Sequence, residues 1–130
     1  MSFARARYRQ AESFAQDGVN HPHDVVFVTL KELTRSLSVL AAAQDQDRAL
    51  PADHVNRALT ALYILQSSLD FEAGGEIAGD LFQLYEFARF HVLKAWRGED
   101  GARLAEAALA IGDILQAWQE IGAQVKLPVA

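Results

Sequence analysis

The chain has 130 residues, a formal net charge of −5 at pH 7 and no cysteine, and half of its residues are hydrophobic. That length suits one domain with one core. Acids and bases alternate along it, which argues against a nucleic-acid groove, and the missing thiols remove disulfides, cysteine nucleophiles and thiolate metal sites.

Only three prolines and eight glycines interrupt the chain, so the composition favours long helices over many short strands. The start, MSFARARYRQ, carries three arginines with no apolar stretch behind them and lacks the core of a secretory signal. A short, weakly apolar helix is expected over residues 3–16, closing before Asp17 and Gly18. The next, over 23–43, takes Asn20 or His21 as N-cap and Pro22 at its first position, with Val26, Leu30, Leu33, Leu37 and Leu40 as its stripe. Pro51 opens a third helix to residue 69, striped by Val55, Leu59, Leu62, Leu65 and Leu69.

Residues 70–75 break the pattern and read as a loop that Gly74 and Gly75 allow to reverse. Asp70, Glu72 and Glu76 suit the positive N-terminal end of the helix that follows. That helix, over 76–97, aligns Ile77, Leu81, Leu84, Ala88, Val92 and Ala95 and stops at Gly98. Asp100 is placed to cap the last one, over 101–124, whose stripe is Leu104, Ala107, Ile111, Ile114, Leu115, Trp118 and Ile121. The expected fold is all-α, an antiparallel four-helix bundle over 20–125 with a short extra helical segment in 1–19 and a tail at 126–130. The longest nearly apolar run, ALTALYIL, is far shorter than the roughly 20 residues that span a bilayer, so no membrane insertion is expected.

Several apolar residues lie on the wrong side for a bundle. At about 100° per residue, Phe82, Leu93 and Phe90 fall about 140–220° from Ile77, interleaved with Glu86 and Arg89. Ile64 sits about 180° from Val55, and Val28 and Val39 lie behind the stripe of their helix. Either these residues pack under the first segment or a second copy of the chain, or exterior grooves receive an amphipathic segment of another protein. Phe71 belongs to the same question, as a cap over the bundle end, the favoured reading, or as part of a groove rim.

The stretch SLDFEAGGEIAGDLFQLYEF resembles the signature of the flagellin export chaperones, the FliS family. The matching residues are Ser68, Leu69 and Asp70, then Glu72, then Gly74 to Ala78, and finally Leu81, Leu84 and Tyr85. Leu93, Ala95, Asp100, Leu104, Glu106 and the run from Leu115 to Trp118 also fall where that family has similar residues, as do Tyr8 and Pro22 upstream. The sequence departs from the pattern at His21, at Leu30, Lys31 and Glu32, and at Trp96. The resemblance implies a cytoplasmic, non-enzymatic helical bundle without a cofactor. Such a bundle holds the disordered C-terminal segment of flagellin, prevents premature polymerisation and presents the segment to the export gate. It also implies that Tyr8 lies in an N-terminal lid. With the off-stripe residues, the partner-binding candidates are Tyr8, Val28, Val39, Ile64, Phe71, Phe82, Tyr85, Phe90 and Leu93.

Rival chemistry is thin. His91, Val92, Leu93, Lys94 and Ala95 resemble the core of histidine phosphotransfer domains, but Trp96 follows and His91 lies at the edge of the core stripe, where a satisfied, half-buried histidine is expected. His21 and His23 flank Pro22 without a third ligand on a common face, so a solvated helix start is expected there and no metal. Ser67 and Ser68 have no aligned base. The remaining alternative is a self-associating structural bundle, a homodimer through the same strips.

Overall fold

The computed structural model describes residues 22–124, which form four helices: α1 (Pro22–Asp45), α2 (Ala52–Ser67), α3 (Phe71–Trp96) and α4 (Leu104–Gln124). The segment expected over 3–16 and the tail lie outside the described residues. α1 packs on α2 and on α4, and α3 closes the ring by packing on the same two. Short connections make each neighbour antiparallel to the last, the up-down-up-down arrangement of a four-helix bundle.

The interior is one stripe per helix at alternating spacings of three and four. Leu30, Leu33, Leu37 and Leu40 of α1 have no exposed surface, and Val55, Ala58, Leu62 and Leu65 of α2 are at most 2% exposed. Ala78, Tyr85, Ala88 and Val92 of α3 and Leu104, Ala107 and Ile111 of α4 complete it. Such spacing keeps a seam facing its neighbours at a shallow crossing angle. Burying one leucine contributes about 1.5–3 kcal/mol, so the four of α1 supply about 6–12 kcal/mol against chain entropy.

Residues 70–75 are not a loop. The reversal is confined to 68–70, and Asp70 Oδ1 accepts the N–H groups of Glu72 and Ala73 at 3.0 Å each, so Asp70 is the N-cap and α3 starts at Phe71. One turn later Gly75 adopts φ 50° and ψ −123° and kinks the helix. Beyond the kink Ala78 is buried, whereas Ile77, expected in the core, is 70% exposed. The closing turn of α4 is also more open than expected, with Ile121 38% exposed.

α3 ends as expected at Gly98, whose φ of 75° lets the N–H groups of Gly98 and Glu99 return to the carbonyls of Ala95 and Lys94 at 3.0 and 3.1 Å. Asp100 does not cap α4, which begins three residues beyond the expected start. The N–H of Arg103, just ahead of α4, donates to Nδ1 of His91 at 3.0 Å and ties the connection down to α3. His91 is 6% exposed, with the rings of Phe87 and Phe90 4.5 and 5.0 Å away.

The α1–α4 seam is locked where the chain enters α1. His23 stacks on Trp118 with ring centroids 4.9 Å apart, Trp118 Nε1–H donates to the His23 carbonyl at 3.0 Å, and His23 Nε2 bonds the Trp118 carbonyl at 3.1 Å. His23 is therefore docked and not, as expected, a solvated helix start; among the described residues no three His, Asp or Glu gather to hold a metal.

Two outcomes are expected. Gly75→Ala, forced into a backbone conformation that L residues avoid, lowers the unfolding free energy by about 1–3 kcal/mol; Gly79→Ala, with open space around a new methyl group, raises it by up to about 1 kcal/mol. Chemical denaturation of both variants checks this pair. Burial, followed by the nearby charges of Arg103 and Lys94, holds His91 below its ordinary pKa of 6.5, with Glu106 opposing. The unfolded chain then binds the extra proton first, so stability is full above pH 6.5 and falls as the pH drops from there towards the folded-state pKa. In His91→Asn, which keeps an acceptor for the Arg103 N–H, that part of the pH dependence disappears from the unfolding free energy.

Candidate functional site: an apolar furrow on the bundle exterior

Two hydrogen bonds fix which flank of each helix meets its neighbour. Ser36 Oγ and His54 Nδ1, 3.1 Å apart, mark the edge between α1 and α2, and Gln66 Nε2 donates to Glu86 Oε2 at 2.6 Å across the edge between α2 and α3. Every other residue can be placed from these marks by helical rotation and rise.

On α3, Phe82 and Leu93 lie within about 40° of Glu86 on its core-facing side, and Phe90 about 40° beyond it towards solvent. Phe82 and Leu93 are partly buried and Phe90 is 54% exposed. On α2, Tyr63 lies about 60° outward from Gln66 and is likewise 54% exposed. Tyr63 precedes Gln66 by three residues while Phe90 follows Glu86 by four, so in an antiparallel pair the two rings stand at about the same height on opposite banks. Phe71 is 53% exposed and its ring meets that of Phe82 edge-on at 6.1 Å, which joins it to this strip and not to the core. The expectation that Phe71 caps the bundle end gives way to the rim position.

A second, smaller group borders α1 and α2. Val28, 48% exposed, and the partly buried Val39 lie about 60–80° outward from Ser36, and Ile64, also partly buried, about 80° outward from His54. These three do not join the α2–α3 strip. Tyr85 is corrected outright: it is 3% exposed in the core stripe of α3, and burial pushes its hydroxyl pKa up to about 12. Its place in the signature comes from holding the bundle together. Tyr8 lies outside the described residues.

Sequence reasoning missed Tyr63, although its rotation away from the α2 stripe was visible. It also missed the exposure of Ile77. His91 offers no phosphotransfer chemistry, since Nδ1 is engaged and the ring is buried. What the α2–α3 edge presents is aromatic rings beside one cation, as Lys94 Nζ stands 5.8 Å from the Phe90 ring.

Comparison with known proteins identifies the family of the chain. The family model described as flagellar protein FliS matches residues 4–125. The flagellar secretion chaperone FliS of Vibrio cholerae serotype O1 is 28% identical over 115 residues, covering 88% of this chain and 85% of the relative. The flagellar secretion chaperone FliSB of Pseudomonas aeruginosa is 25% identical over 120 residues, covering 91% of this chain and 94% of the relative. No solved structure matches the chain. With nearly its whole length inside the family model and with the helical bundle described above, the chain belongs to the FliS family of flagellar proteins.

Proposed function

We propose that the chain is a cytoplasmic, non-enzymatic export chaperone that holds the disordered C-terminal segment of flagellin on the outside of its bundle until the export gate takes it over. Family membership supports the export role. The observation that carries the binding mode is that the core is complete while Phe90 and Tyr63, on facing banks of one furrow, each remain 54% exposed. A folded bundle gains nothing by presenting aromatic rings to water, and contiguous exposed apolar surface marks interaction sites.

The geometry suits a segment that folds as it binds. Phe82 and Leu93 are 11 positions apart, about 16 Å along α3, or three turns of a partner helix. An amphipathic segment laid there offers anchors at intervals of three and four and buries its apolar face as it orders. While that face is covered it cannot pack on another flagellin, which is how binding blocks polymerisation. Among the described residues no helix is long and apolar enough to cross a membrane.

Calorimetric titration against the C-terminal segment of flagellin from the same organism tests the reading. The expected result is stoichiometric binding, a gain of helix by circular dichroism and a negative heat-capacity change. Phe90→Ala should weaken binding by about 1–3 kcal/mol with the melting temperature nearly unchanged, whereas Tyr85→Ala should cost about 3–5 kcal/mol of stability. A folded bundle that binds no flagellin and sediments as a dimer would assign the furrow to self-association instead.

A further inference from the structure

The charge along the C-terminal half of α3 is unlike that of the chain. Against 17 Asp and Glu and 12 Lys and Arg overall, residues 87–97 carry Arg89, Lys94 and Arg97 and no carboxylate, and residues 54–69 of the α2 region have no carboxylate either, their one cation, Arg57, lying on the α1 side of α2. The acids that border the α3 tract are engaged: Glu86 accepts from Gln66, and Glu99 pairs with Arg97 at 2.8 Å. Among the described residues, Arg89 and Lys94 have no carboxylate within ion-pair distance.

The negative end of α3 accounts for a cation in its last turn, which is where Lys94 and Arg97 sit. It does not account for Arg89, two turns earlier, beyond the reach of that field. Arg89 is exposed one residue before Phe90, and Lys94 stands over the ring of Phe90, so the two cations bracket the most exposed ring of α3 in the furrow. A cation held over an aromatic face keeps its outer side available for an anion.

We infer that the furrow takes an amphipathic segment whose apolar face is bordered by Asp or Glu side chains, and that Arg89 and Lys94 pair with those carboxylates. This rests on the chaperone reading and deepens it: the apolar residues give the affinity, and the cations set the register. Glu86, fixed on Gln66, closes the acid-free tract on α3, so the segment's carboxylates lie over the half of α3 that runs from Glu86 to Arg97. Like charges brought face to face oppose any other placement.

The test is titration of wild-type protein, Phe90→Ala and the double variant Arg89→Glu, Lys94→Glu with the flagellin C-terminal segment at low and at high salt. Arg89 is exposed and Lys94 half-buried, so the double variant should keep the wild-type helix content; if it does not, Arg89→Gln with Lys94→Gln replaces it. Charge reversal is expected to weaken binding by about tenfold or more at low salt and much less at high salt, while the loss in Phe90→Ala is insensitive to salt. Exchanging the segment's acids for lysines should restore binding to the reversed variant. Unchanged or tighter binding by the reversed variant, with wild type binding normally, overturns this inference alone. If wild-type protein binds no flagellin segment, the chaperone reading fails and the inference falls with it.

Discussion

The interior of this bundle admits one narrow stripe from each helix, and that geometric limit governs everything outside it. The four leucines of α1, at 30, 33, 37 and 40, occupy the space that α2, α3 and α4 leave, and none of them retains accessible surface. Close packing leaves no room for further large side chains. A chain that is half hydrophobic must therefore carry apolar residues elsewhere. Where they are scattered, as Leu109 is on α4, they need no account. Where Phe71, Phe82, Phe90, Leu93 and Tyr63 border one furrow, they form a second surface beside the first.

Core and surface are built from the same helix without interfering. On α3, Tyr85, Ala88 and Val92 face inward while Phe82, Glu86 and Phe90 face α2 and solvent. Residues of the outer strip can consequently change without disturbing the core. The small residues of the core, Ala58, Ala88 and Ala107, are fully buried and bring the helices close together, giving the exterior a firm backing.

Much of the architecture was legible because it depends on local periodicity. The stripes of α1 and α2 and the buried positions Leu104, Ala107 and Ile111 of α4 follow from spacings of three and four, and the stop at Gly98 follows from a residue type that tolerates positive φ. The failures have physical causes of other kinds. Gly75 kinks α3 one turn after its start, a backbone change that apolar periodicity does not report, and Ile77, inward by its wheel position, is exposed near that end of the helix. Asp70 proved to be a cap joining two helices almost without a loop. The contacts of His23 with Trp118 and of Arg103 with His91 join residues far apart in the chain, and no pattern along the sequence announces them. Of the candidate surface, the off-stripe positions on α3 could be found on a helical wheel, but their alliance with Tyr63 depended on the register between α2 and α3.

The lock between His23 and Trp118 bears on how the molecule is made. The partners are separated by 95 positions, so the bundle's ring cannot close until α4 has left the ribosome. Until then the leucines of α1 have only α2 and α3 for company, and one side of the stripe stays open to water. Among the described helices, the one made last is the one that seals the first.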